Sequence, residues 1–212
     1  MNRLFCAFVK FTAFPVQFLC FRTKIHYRCK SSQGRKINGP ALLISNHTSV
    51  YDFAVWMFVF FRSNLRCLMA EILFERNFLL SWFLKKLGGI KIRRKDFDFG
   101  FVEESAKVLE KGGVVEVFPE ARLPLPGEQR PLPFKHSAAY IAMRSGVPII
   151  PVYTNGSYFR FHRAHVIIGE KIDINSLIDP QLSQKENIEK ITGYLQKAVT
   201  ELGEELEKEI KA

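Results

Sequence analysis

The chain has 212 residues, is 47% hydrophobic and carries a net charge of +10, which suits one domain with a substantial core and an anionic partner. It contains 20 phenylalanines and shows no RNP-like run, recognition-helix pattern or zinc-finger spacing, so specific nucleic-acid binding is not expected and an acidic membrane surface is favoured. The four cysteines, Cys6, Cys20, Cys29 and Cys67, form no C-x-x-C pair and have no His at ligand spacing, so free thiols in a reducing compartment are expected.

Residues 4–21, LFCAFVKFTAFPVQFLCF, are long enough to suggest a membrane span. Lys10, Pro15 and Gln17 interrupt that run, and Arg3, Lys10, Gln17 and Lys24 recur every seven residues. On a helix such a repeat drifts by only about 20° per step, leaving one polar stripe on an aromatic cylinder. That pattern predicts a helix lying in the membrane interface, within an N-terminal segment of residues 1–30. A single span, or a helix packed on the domain's own core, remains the alternative. No small-residue cleavage site marks a removable signal peptide. Arg22, Lys24, Arg28, Lys30, Arg35 and Lys36 follow, placed to meet anionic headgroups.

Beyond this basic linker, GPALLISN (39–46) reads as a buried strand and residues 50–61 as a helix. LRCLMA (65–70) is a strand, and residues 77–89 form an apolar-faced helix closed by Gly88-Gly89. GIKIRR is a strand, residues 97–111 a helix ending at Gly112-Gly113, and VVEVFPE a strand. The loop LPLPGEQRPLP leads to the helix SAAYIAMRSG, then to the strands VPIIPVY and HVIIGE. In the tail, Ile188, Ile191, Leu195, Val199, Leu202, Leu206 and Ile210 recur at steps of three and four, an amphipathic helix. Short apolar strands alternating with helices predict an α/β fold with a largely parallel central sheet flanked by helices.

One local pattern carries chemistry. His47 closes the first buried strand and Asp52 lies five positions on, a spacing that on a regular helix points side chains about 140° apart. They meet only if the backbone turns between them, with Thr48 or Ser49 capping a new helix. Ser49-x-x-Asp52 also reads as a capping box with Asp in place of Glu, which explains Asp52 without catalysis. It does not explain an imidazole at the end of an apolar strand. A carboxylate accepting the Nδ1–H fixes the tautomer and lets Nε2 take a proton from a hydroxyl.

Asn46-His47-Thr48-Ser49-Val50-Tyr51-Asp52 resembles the N-H-x-x-x-x-D signature of the glycerolipid acyltransferases, 1-acylglycerol-3-phosphate acyltransferases among them. Three further blocks follow in the family's order. GGIKIRR (88–94) is similar to the second block at Gly88, Ile92 and Arg94, and VFPEARL (117–123) to the third, F-P-E-G-T-R. VPIIPV (147–152) is similar to the fourth through Pro148. The resemblance covers roughly residues 35–170 and places an acyltransferase domain at 31–212.

It implies that His47, oriented by Asp52, deprotonates the hydroxyl of a lysophospholipid, most directly lysophosphatidic acid, which attacks an acyl thioester of CoA or acyl carrier protein. The oxyanion then needs N–H donors or cations, and the Asn46–Ser49 turn is one source. No metal, cofactor or covalent enzyme intermediate is required. Arg94, Glu120, Arg122 and Lys135 are the implied substrate-binding residues, and a cytoplasmic-face membrane location follows. The chain departs from the pattern where Ala121, Arg122 and Leu123 replace Gly-Thr-Arg, where Ser137 replaces a Gly, and where Glu71 stands near a usual basic residue. These differences bear on the acceptor headgroup. Another lysolipid or amphiphilic alcohol, or a non-catalytic protein that binds anionic membranes, are the competing readings. His136 and His162, among cations in loops, read as surface groups, and His165 begins a strand with no visible partner. Phe53, Trp56, Phe58, Phe60 and Phe61 read either as an acyl tunnel or as core.

Overall fold

The computed structural model describes residues 2–93, 99–159 and 163–211. Seven strands form one sheet: β1 (Lys24–Tyr27), β2 (Ala41–Ser45), β3 (Leu65–Ala70), β4 (Ile90–Ile92), β5 (Val114–Val117), β6 (Ile149–Thr154) and β7 (His165–Ile168). Their order is β1-β7-β6-β2-β5-β3-β4, with only the β6–β7 pair antiparallel. The largely parallel sheet expected from the alternation of apolar runs is therefore present.

β2 lies at the centre and all five of its residues are buried, as a strand covered on both faces demands. Its even side chains, Leu42 and Ile44, join Val115, Val117 and Ile149 under α5 (Gly100–Glu110), α6 (Ser137–Ser145) and α7 (Gln184–Lys211). Its odd ones, Ala41 and Leu43, join Val114, Ile150 and Val152 under α2 (Asp52–Val59). Trp56 and Phe60 are fully buried in this second layer, so these aromatics of the 50–61 segment are core rather than tunnel lining. The predicted stripe on α7 packs inward from Ile188 to Leu206, while Ile210 is left exposed.

After the short α3 (Glu71–Glu75), α4 (Phe78–Leu87) starts where the Asn77 side chain accepts the Leu79 N–H at 2.8 Å. It stops where Gly88 takes φ 101°, a left-handed value that a side chain disfavours.

The N-terminal segment differs from expectation in two ways. The helix α1 (Arg3–Cys20) ends before residue 24, and Lys24–Tyr27 is the edge strand β1, paired with β7. Residues 1–30 are thus not one helical anchor, because the last part completes the sheet. The polar stripe also faces the other way. Lys10 is buried and its Nζ donates to the Phe61 and Ser63 carbonyls at 2.7 and 3.0 Å. Cys6, Val9 and Ala13 pack beside it against Met57, Phe58 and Leu87. Two carbonyls at the α2–β3 turn take the ammonium as their donor, so the stripe meets the protein at Lys10, while Gln17 is half-buried and Arg3 stays exposed. The outward face is apolar: Leu4, Phe8, Phe11, Phe14, Phe18 and Leu19 are more than half exposed. α1 is the one described helix long and apolar enough to cross a membrane, with mean hydropathy 1.4. All four cysteines are free.

Candidate active site

The site lies at the carboxyl end of β2, where the strand gives way to α2. Asn46 is buried and straps this end to β6: its Oδ1 accepts the Thr154 N–H and its Nδ2 donates to the Thr154 carbonyl, both at 2.9 Å. The Trp56 Nε1–H donates to Ser45 Oγ at 2.9 Å, tying α2 to the same point. The turn that follows starts from a fixed base.

Across that turn the His47 Nδ1 lies 2.9 Å from Asp52 Oδ2. Asp52 is wholly buried and accepts four further hydrogen bonds. Oδ2 takes the Thr48 N–H at 2.6 Å and the Ser49 N–H at 2.9 Å. Oδ1 takes the Thr48 hydroxyl and the Tyr158 hydroxyl, each at 2.8 Å. The same carboxylate therefore bonds the turn's backbone and the imidazole, although the capping box itself is not formed, since Asp52 gives its N–H to the Ser49 carbonyl. Ser49 Oγ accepts the Tyr51 N–H at 3.3 Å while Asp52 returns to the Ser49 N–H, and the same carboxylate orients the imidazole. A buried carboxylate with five donors is well solvated by the protein itself.

The imidazole stacks on Phe118, with centroids 4.4 Å apart and planes 21° from parallel. Its side chain keeps one fifth of its surface exposed, and Nε2 has no partner among the described residues. Held through Nδ1 and open at Nε2, the ring can exchange a proton with a bound hydroxyl.

Glu120 does not sit as a substrate ligand. It is buried, and its two oxygens accept the His47 N–H at 2.8 Å and the Leu132 N–H at 3.0 Å. A carboxylate committed to two backbone donors positions the histidine's main chain and has no business with a phosphate. Burial pushes its pKa up, and those two N–H groups oppose the rise. The expected oxyanion donors are corrected on the same grounds. The N–H groups of His47, Thr48 and Ser49 all serve Glu120 or Asp52.

Arg122 is exposed and clasps Glu128 in a two-pronged pair, both contacts at 2.7 Å, so its guanidinium closes the Pro-rich loop. That pairing holds Glu128 down to a pKa of about 2. Lys135 donates its N–H to the Pro119 carbonyl at 2.8 Å, and its exposed side chain has no partner among the described residues. Arg94 and His162 lie outside the described residues. Ala121, standing where the family pattern has Gly, adopts φ 60°, a left-handed conformation that costs a side-chain-bearing residue about 1–2 kcal/mol. The other described histidines are partnered. His136 Nδ1 meets Thr192 Oγ1 at 3.0 Å, and His165 meets the buried His26 at 3.0 Å, which in turn bonds Glu209 of α7.

Sequence reasoning missed Tyr158 and Glu116. Tyr158 caps Asp52 from 106 residues away, and burial, then the Asp52 charge, drives its phenol pKa up. No local period announces such a contact. Gly156 makes it sterically possible: it has φ 68°, and a Cβ there would lie 2.6 Å from Thr48 Oγ1. Glu116 is fully buried in β5 beside Cys67 and Leu43, and neither carboxyl oxygen meets standard hydrogen-bond geometry. Burial, reinforced by the Asp52 charge, holds its pKa well above the usual carboxylate range. The one signal was a glutamate inside the apolar run VVEV.

The fold has a known counterpart. The solved structure of the 1-acyl-sn-glycerophosphate (LPA) acyltransferase PlsC from Thermotoga maritima matches with a TM-score of 0.62 at 19% identity, over 96% of this chain and 78% of that one. That likeness establishes the fold. Residues 23–155, more than half the chain and containing the whole His47–Asp52 turn, match the Acyltransferase family model. The chain belongs to the Acyltransferase family and is an acyltransferase.

Proposed function

We propose that the enzyme moves a fatty acyl group from a CoA or acyl-carrier-protein thioester to the free hydroxyl of a lysophospholipid, with 1-acylglycerol 3-phosphate as acceptor and phosphatidic acid as product. His47 Nε2 takes the hydroxyl proton, the alkoxide attacks the thioester carbonyl, and collapse of the tetrahedral adduct expels the thiolate, which recovers the proton. Asp52 holds the neutral tautomer and stabilises the imidazolium as it forms. Positioned general-base catalysis of this kind contributes about 10²–10⁴-fold in rate. The observation that carries the reading is the 2.9 Å contact between His47 Nδ1 and a buried, five-donor Asp52, with Nε2 unpartnered among the described residues. The acceptor assignment is supported by the motif order and by the likeness to a protein described as an LPA acyltransferase.

α1 lies on the cytoplasmic face of a membrane with its phenylalanines in the interface. An inward Lys10 and an outward row of Phe and Leu support that placement. The test is a vesicle-reconstituted assay of purified protein, crossing both donors with a panel of lysolipids. Transfer to lysophosphatidic acid, abolished by His47→Ala without loss of vesicle binding, is the expected result. Turnover on a different acceptor, or full activity of His47→Ala, overturns the assignment.

A further inference from the structure

A groove of about 690 Å³ runs between the second half of α1, the α2–β3 turn and the start of β1. It contains none of His47, Asp52, Glu120, Arg122 or Lys135, so it is separate from the site described above. One wall is aromatic, built from Phe14, Phe18, Phe58 and Phe61. The other is cationic, built from Arg22, Arg35, Lys36, Arg62 and Arg163, and no carboxylate is among the lining residues.

The cations are not equivalent. Arg35 is already committed to the end of α2, donating to the Val59 and Phe58 carbonyls at 2.9 and 3.2 Å. Arg163 Nε donates to the Arg22 carbonyl at 3.2 Å, which draws two like-charged residues together. Arg22 itself is held at φ 44°, a strained value for a residue with a side chain. The side chains of Arg22, Lys36 and Arg62 have no hydrogen-bonded or ionic partner among the described residues. Like charges gathered round one concavity raise one another's energy, and an anion placed between them relieves it.

Phe14 and Phe18 belong both to this groove and to the outward apolar face of α1. A molecule lying in the same leaflet as α1 therefore enters from the side, without leaving the bilayer. We propose that the groove holds one anionic phospholipid, its phosphate between Arg22, Lys36 and Arg62 and one acyl chain along the four phenylalanines. The inference rests on the membrane placement of α1 proposed above, and it turns a diffuse electrostatic attraction into a saturable site.

The experiment uses vesicles of phosphatidylcholine doped with phosphatidylglycerol that carries a photoreactive acyl chain. Wild type and His47→Ala are both cross-linked and the labelled peptides mapped. Labelling is expected within 14–18 and 58–61, saturating, equal in the two proteins, and competed by unlabelled phosphatidylglycerol but not by phosphatidylcholine, coenzyme A or inorganic phosphate. The double variant Arg22→Gln/Arg62→Gln should lose about thirtyfold in labelling affinity. It should still float with vesicles and still acylate a detergent-dispersed acceptor, and Arg22→Lys/Arg62→Lys should recover the labelling. Equal labelling by phosphatidylcholine, displacement by coenzyme A or phosphate, or an unaffected double variant overturns the proposal. A wild-type chain that fails to float refutes the membrane placement instead, so the two failures are told apart.

Discussion

Asp52→Asn separates the charge of the dyad from its geometry. The carboxylate receives five donors: His47 Nδ1, the Thr48 and Ser49 N–H groups, and the Thr48 and Tyr158 hydroxyls. An Asn amide can point its oxygen at the first three. Its NH₂ then faces two hydroxyls, each of which can rotate from donor to acceptor. Every contact keeps its place and only the charge is lost. Hydrogen bonds to a charged acceptor are about twice as strong as neutral ones, which sets the stability loss at roughly 1–3 kcal/mol once the easier burial of an amide is counted. The catalytic loss is larger. An imidazolium and a carboxylate about 4 Å apart between charge centres attract by about 4 kcal/mol at an effective dielectric of 20, or about 10³-fold in rate. Initial rates with labelled thioester donor should show kcat down by about that factor with KM little changed, and thermal melting should stay cooperative. Retention of more than a third of the wild-type rate by a folded Asp52→Asn protein would refute the role given to this carboxylate.

Glu116 offers a pH test. Burial holds its folded pKa well above the ordinary value of 4.5, so the folded state binds the proton more tightly than the unfolded state. Its contribution to stability is full below pH 4.5 and is lost as pH rises through the folded value, at about 1.4 kcal/mol per pH unit between the two. Glu116→Gln should flatten that decline, and denaturant melts at pH 5 and pH 8 would show a gain confined to the higher pH. Ala121→Gly should stabilise the protein by up to about 1 kcal/mol by relieving the left-handed backbone, read as a raised midpoint in urea with an unchanged slope. Lys10→Met keeps the length of the side chain but leaves the Phe61 and Ser63 carbonyls without their donor. Undocking of α1 by about 2 kcal/mol should speed alkylation of the buried Cys6 roughly thirtyfold, with mapping by mass spectrometry; unchanged alkylation would mean that Lys10 does not hold the helix.

What the sequence revealed follows the range of the interactions involved. β3 was legible at both ends because an apolar run of strand length sat between polar turns, and α4 because Asn77 and Gly88 bracket it. β1 was hidden: KIHY is short, carries two polar residues and lies in a run of cations, so only its pairing with β7, far along the chain, makes it a strand. Periodicity marked the polar stripe on α1 but could not say which side faced protein, since that depended on two carbonyls near residue 62. The same limit divides the site. His47 and Asp52 are five residues apart and their turn is local, whereas Glu120 and Tyr158 arrive from 73 and 106 residues away. Arg122 offered the motif's guanidinium one place early, yet its partner Glu128 was set by the shape of a loop that composition does not encode.

The docking of α1 has a practical corollary. Deleting the first twenty residues to obtain a water-soluble catalytic fragment would strip away one greasy surface and unveil another. Met57, Phe58 and Leu87, buried against the helix, would be left bare, with the Phe61 and Ser63 carbonyls stranded among them. Such a fragment should clump rather than dissolve, and shaving the outward phenylalanines of the intact helix to Gln or Ser is the sounder route to a soluble enzyme.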